Sequence, residues 1–232
     1  MDLTTKGRFR VLGRPRDPSE LLLVSVDSGD GEGDGQRNAD EGVGSQGHDE
    51  SVPTDAFDPV YVDTSGYEGD LADAVDALEA GALVDATLAW TDGEPRFEGV
   101  EVVAATTFEF YDGVTGLFEA AKRTWSVAEA DNAAMHGRVT RDTDGEPNGA
   151  LYVFAKQSGA RDLFEEFRTG ITPLDPLLRR ADRGESVPPE SAQPRAVFVL
   201  RPAEEPFLVV YVVFRRDGVL AETVRSTYGE SN

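Results

Sequence analysis

Residues 195–228 read RAVFVLRPAEEPFLVVYVVFRRDGVLAETVRSTY, and how this tract divides decides the fold. Ala203-Glu204-Glu205 and Asp217-Gly218 split it into RAVFVLRP, PFLVVYVVFRR and GVLAETVRSTY. All three are rich in residues that favour extended backbone, so the pattern predicts three strands. The middle run has no charged residue from Phe207 to Phe214, which suits a central strand covered on both faces. The cover lies just upstream. RDLFEEFR sets Leu163, Phe164 and Phe167 on one helical face and stops at Gly170. A second short helix is expected with Asp175 as N-cap and Pro176 at its first position, running to Arg183 before Gly184. After the linker SVPPESAQP, the expected C-terminal half is a three-stranded antiparallel sheet covered by these helices.

Further upstream, HGRVTRDTDGEPNGALYVFA predicts two strands about a turn. Its TDGEP tract (143–147) also occurs at 91–95, again between β-like runs. Asp-Gly is a favoured turn pair, and the following proline limits strand pairing. The flanks LAW/RFEG and TRD/NGAL share nothing, so the repeat reads as one turn used twice. Between the copies lie a long β run, FEGVEVVAATTFEF, and GVTGLFEAAKRTW. The latter predicts a helix capped by Asp112 with Val114, Leu117, Phe118 and Ala121 on one face. Before the first copy come the strand PVYVDT, the helix GDLADAVDALEAG closed by Gly81, and the strand ALVDATLAW. In that helix Leu71, Val75 and Leu78 oppose Asp70, Asp73, Asp76 and Glu79. The elements of residues 57–111 follow the order of an OB-like partial barrel.

At the N-terminus, RFRVL (8–12) and ELLLVSVD (20–27) read as a hairpin about GRPRDPS. Residues 28–55 hold seven glycines and eight acids, with only Ala39, Val43 and Val52 aliphatic. Such a tract buries too little apolar surface to offset its ordering entropy, so it reads as a disordered insertion. The expected organisation is α+β: an N-terminal hairpin (1–27) packing on the β-rich half, the insertion (28–55), a β-rich OB-like half (56–135) and an α+β half (136–232).

Charge bounds the function. Asp and Glu number 44 against 22 Lys and Arg, a formal net charge of −22, and lysine occurs only at Lys6, Lys122 and Lys156. The insertion holds eight of those acids against Arg37, which still leaves −15 on the rest, so the excess is spread over the chain. Crowded carboxylates repel one another in dilute salt, while molar salt screens them within about 3 Å. The surface therefore suits a salt-rich cytoplasm. There is no cysteine, which excludes disulfides, thiol nucleophiles and thiolate metal sites. MDLTTKGRFR lacks the apolar stretch of a secretory signal, and Phe207–Phe214 is too short to span a membrane. The expected location is cytoplasmic.

Catalytic signatures are lacking. There is no nucleophile elbow, no phosphate-binding Walker loop and no dinucleotide fingerprint, and GDGEGDG is acidic enough to repel a phosphate. Residues 142–149 alternate oxygen ligands before a glycine, as a calcium loop does. Started at Asp144, though, the loop needs a bidentate glutamate where Ala155 stands. His48 falls in the insertion. His136 would need carboxylates such as Asp142 or Asp144 to converge on it in a cleft between the halves. No cofactor or metal is expected.

One tract departs from the acidic background. Lys6, Arg8, Arg10, Arg14 and Arg16 fall within eleven residues free of acid. Arg8 and Arg10 share one strand face, with Phe9 and Val11 on the other. This ribbon is the candidate partner-binding surface; the alternative is that its arginines pair with carboxylates of the same chain. In molar salt five basic residues retain little phosphate attraction, and Phe9 is the sole aromatic side chain for base stacking. A protein partner is therefore expected ahead of nucleic acid.

GVTGLFEAAKRTW and TRDTDGEPNGALYVFA, with the acidic glycine-rich insertion, resemble small acidic haloarchaeal proteins of unknown function across most of residues 57–228. The resemblance implies a salt-rich cytoplasm and transfers no site. The expected function is a non-catalytic binding or adaptor protein. A nucleic-acid-binding OB-like module and an enzyme using His136 are the alternatives.

Overall fold

The fold, taken from a computed structural model, is mixed α+β, with two five-stranded sheets and five helices among the described residues (3–26, 59–156, 162–184 and 187–229). The expected insertion and His48 lie outside them. In the first sheet β1 (Leu3–Gly13), β2 (Glu20–Ser25), β3 (Pro59–Asp63), β4 (Leu83–Thr91) and β5 (Glu94–Ala104) run in the order β3-β2-β1-β4-β5, every pairing antiparallel. The N-terminal hairpin is therefore the middle of this sheet, and β1 is its central strand. Helix α1 (Gly69–Asp76) links β3 to β4. Phe9, Val11, Leu21, Leu23, Val84, Leu88 and Phe97 face Val75 and Leu78 in one apolar cluster. The sheet curls around that cluster until β3 and β5 approach each other, without closing a barrel.

The run FEGVEVVAATTFEF does not form one strand. It breaks at Ala105-Thr106, and β6 (Thr107–Val114) leaves for the second sheet. There β6, β7 (Met135–Arg141), β8 (Pro147–Ala155), β9 (Ala196–Pro202) and β10 (Phe207–Val213) take the order β6-β9-β10-β8-β7. The expected three-stranded antiparallel sheet is thus replaced by five strands, with β6 and β9 parallel. β10 is central as predicted, and all seven of its residues are buried. Leu208, Val210 and Val212 pack toward α3 (Leu163–Thr169), α4 (Asp175–Asp182) and Leu12, Leu22 and Val24 of the first sheet. Phe207, Val209, Tyr211 and Val213 pack toward α2 (Glu119–Ala130) and α5 (Val219–Tyr228).

Helix α5 is the main correction. GVLAETVRSTY was expected as a strand because of its β-branched residues, yet Ala221, Val224 and Tyr228 are its buried positions. Spacings of three and four residues are helical, and burial of that stripe outweighs a propensity difference of about 0.5 kcal/mol per residue. Helix α2 likewise begins later than expected. Gly113 and Gly116 hold φ of 64° and 63°, which ends the extended run and delays the helix to Glu119. Val114 belongs to β6. In α3, Asp162 caps the first turn through Phe164 and Glu165 N–H groups, and left-handed Gly170 closes the helix as predicted. Asp175 does not cap α4. It is the first helical residue, buried and turned toward β1.

Helix α1 stops at Asp76, well before Gly81. Gly81 has a different task, because its N–H donates to Val11 O at 2.7 Å while its φ is +100°. A Cβ there would sit 2.7 Å from Phe108 N and 2.8 Å from Thr106 O, backbone atoms that cannot turn aside. Gly81→Ala is expected to destabilise the fold by about 3 kcal/mol, from left-handed strain plus overpacking, read as a lower denaturation midpoint at unchanged m-value.

Candidate functional site

Alternation along β1 places Arg8, Arg10 and Leu12 on one sheet face, but that face runs from solvent into the joint between the sheets. Arg8 is exposed and makes a two-pronged pair with Asp85 on β4, Nε to Oδ1 at 2.7 Å and Nη2 to Oδ2 at 2.8 Å. It holds the Asp85 carboxyl below the usual range. Two residues on, Arg10 is 3% exposed. Its Nε donates to Asp175 Oδ1 at 2.9 Å and its Nη1 to Gly81 O at 2.8 Å. Its two Nη groups also grip both oxygens of Glu190, at 2.6 and 2.9 Å. Arg10 is therefore closed to any outside partner. Arg14 donates to Pro18 O and Thr64 Oγ1, and Arg16 lies over the Tyr61 ring at 3.7 Å. Arg14 and Arg16 are exposed as well, but of the five candidates only Lys6 and Arg8 line a common concave surface.

The cluster around Arg10 continues through the joint. Arg195 is wholly buried: its guanidinium donates to Asp182 Oδ1, Pro188 O and Phe214 O, while its backbone N–H donates to Thr106 Oγ1 at 2.9 Å. Thr106 in turn hydrogen-bonds Glu190. Burial pushes the Glu190 carboxyl up, but the hydrogen bonds and charge of Arg10 prevail and hold it below the usual glutamate range. Arg10 and Arg195 make the cluster a polar clasp between β1, α4 and the segment leading to β9, although Arg195 Nε and Asp175 Oδ2 are buried there without a hydrogen-bond partner among the described residues.

The TDGEP copies are both turns, but different ones. Asp92 and Gly93 take φ of 54° and 88° and close the β4–β5 hairpin as a two-residue loop. In the second copy Asp142 Oδ1 accepts the Asp144 and Glu146 N–H groups, each at 3.0 Å, and Gly145 takes φ of 84°. That Asp142 oxygen serves its own loop. No group of three or more carboxylate or histidine side chains is close enough to hold a metal among the described residues. His136 pairs with Val153 near the start of β7, whereas Asp142 follows the end of that strand. Six residues of extended chain separate them by roughly 20 Å. The carboxylates proposed to assist His136 do not converge on it.

Two concave regions among the described residues bear on function. The first is a broad trough of about 640 Å³ on the outer face of β1, β4 and β5, lined by Lys6, Arg8, Asp85, Thr87, Gly99 and Glu101 among others. The second, about 430 Å³, lies between α2, α5 and the β7–β8–β10 face of the second sheet. Sequence reasoning missed it, because its lining comes from α5, read as a strand, and from Tyr211, read only as core. Among the described residues no helix is long and apolar enough to cross a membrane.

Across residues 1–232 the chain matches a family of unknown function (DUF6663), and it belongs to that family. No curated protein and no solved structure matches it.

Proposed function

We propose that the chain is a non-catalytic binding protein of a salt-rich cytoplasm, with a protein partner seated in the trough on β1, β4 and β5. The observation carrying this reading is the character of that surface: wide and shallow, with Lys6 and Arg8 beside Asp85 and Glu101. Small molecules favour deeper apolar clefts, whereas mixed charges on a broad surface suit a protein with complementary charges. The order β3-β2-β1-β4-β5, with α1 between β3 and β4, resembles that of an OB-like partial barrel, and this likeness supports nucleic acid as the second reading. Single-stranded nucleic acid needs a cationic groove with rings for its bases. The trough lining carries two carboxylates and no aromatic residue, so the protein partner stands first. An enzyme built on His136 stands last, given its separation from Asp142 and Asp144.

The test reverses the two cations that line the trough. A Lys6→Glu, Arg8→Glu variant keeps its melting temperature within a few degrees, since exposed ion pairs contribute at most about 1 kcal/mol. Proteins that copurify with the tagged wild-type chain in molar KCl are expected to fall at least tenfold with the variant. Equal recovery of the same proteins from both chains overturns the reading.

A further inference from the structure

The cavity beneath α5 is chemically unlike the rest of this molecule. In a chain with twice as many acids as bases, its lining contains Arg138 and Arg141 and no aspartate or glutamate. Arg141 donates one N–H to Gly145 O, and Arg138 makes no hydrogen bond or ion pair among the described residues. The polar groups behind them are arranged as donors. Tyr211 donates to Thr140 Oγ1 at 3.0 Å, and Thr140 donates to Asn148 Oδ1 at 2.7 Å. That relay consumes the acceptor end of Asn148 and leaves its amide N–H groups as donors. Tyr228 accepts the Phe118 N–H at 3.2 Å, so its own O–H proton is free to be given. Burial raises the pKa of both Tyr211 and Tyr228 above the usual tyrosine value.

The body of the cavity is apolar. Phe118 stacks on Tyr211 with centroids 5.6 Å apart and tilts against Tyr228, while Leu220 and Val224 come from α5. A volume of about 430 Å³ falls within the range of small-molecule sites. We infer that this cavity binds a small organic carboxylate with an aromatic body, its charge held by Arg138 and Arg141 and its ring laid against Phe118 and Tyr211. A planar guanidinium matches a carboxylate with two parallel N–H donors, and Asn148 and Tyr228 add uncharged donors. A cation is repelled by the same groups, and an uncharged ring offers the two guanidiniums no opposite charge. The inference is independent of the trough proposed above, which lies on the other sheet.

The test uses the full chain in molar KCl, with naphthoate as probe, read by its fluorescence anisotropy and by perturbation of Tyr and Phe resonances. Naphthoate is expected to bind at least tenfold more tightly than naphthyl methanol, which keeps the ring and lacks the charge. Acetate, which keeps the charge and lacks the ring, is expected to bind weakest. The Arg138→Gln, Arg141→Gln variant is expected to lose at least tenfold in naphthoate affinity with its circular dichroism unchanged, and Leu220→Trp is expected to block the site sterically. Equal binding of naphthoate and naphthyl methanol to the wild-type chain overturns the inference without recourse to any variant. So does tighter binding of naphthyl phosphate, which would make the site one for phosphate esters.

Discussion

Arg10→Met is expected to lower the stability of the chain by about 4 kcal/mol, a fall of roughly 8–16 °C in Tm. The reason is what the substitution leaves behind. Glu190 and Asp175 are 8% and 2% exposed, and Arg10 alone supplies their bridging charge from β1. Without it two carboxylates face each other in the joint between the sheets, and Gly81 O loses its donor. Replacing all three charges, as Arg10→Met, Asp175→Leu and Glu190→Leu, is expected to recover most of the loss, because a buried ion cluster is worth little against well-packed apolar side chains. The pH dependence has a fixed sign. Glu190 is held below its unfolded pKa of about 4.3, so its contribution is complete above that value and is lost as pH falls through the depressed folded pKa. Urea unfolding of the wild type, the single and the triple variant decides the matter. A single variant within 1 kcal/mol of wild type removes the clasp from the account.

The same arginine marks the limit of what the sequence could disclose. Alternation correctly put Arg8 and Arg10 on one face of β1 and Phe9 and Val11 on the other, but two-residue periodicity describes a strand and not what covers it. The cover comes from residues 165 and 180 positions away, in α4 and the segment before β9. Central β10 was legible because a strand buried on both faces carries its environment in its own composition. Helix α5 was not, since β-branched residues speak locally for a strand while the 221, 224, 228 stripe means helix only when something lies beneath it. The break at Ala105-Thr106 also left no local signal. Nothing there resembles a turn, and the change of sheet is enforced from outside, where Thr107 N–H donates to Arg195 O and Phe108 N–H donates to Ala80 O. The candidate site suffered accordingly: the acid-free lining is assembled from α2, β7, β8, β10 and α5, and no two-residue spacing in the chain announces it.

On dialysis from molar to millimolar KCl the first sheet is expected to lose its structure before the second. Residues 59–104 hold eleven acids against the single base Arg96, whereas residues 105–229 hold nineteen against fifteen. On the short helix α1, Asp70, Asp73 and Asp76 project within two turns and make no ion pair among the described residues. Like charges at that spacing destabilise a helix, and their reach grows as the screening length rises from about 3 Å at 1 M to about 30 Å at 0.01 M. The basic hairpin answers part of this charge. β1 lies beside β4, where Arg8 meets Asp85, and Arg96 of β5 reaches Asp63 of β3 at 3.2 Å. Those exposed pairs are too weak to hold the sheet alone. The two tryptophans separate the events. Trp90 on β4 donates its indole N–H to Thr5 Oγ1 at 2.9 Å, and Trp125 on α2 stacks on Phe207 at 5.1 Å. With Trp125→Phe the emission of Trp90 is expected to shift to the red at a higher KCl concentration than the emission of Trp125 does in Trp90→Phe. Coincident transitions would mean that the clasp around Arg10 couples the sheets more strongly than repulsion divides them, and an unchanged far-UV signal down to millimolar KCl would remove the case for a salt-adapted surface.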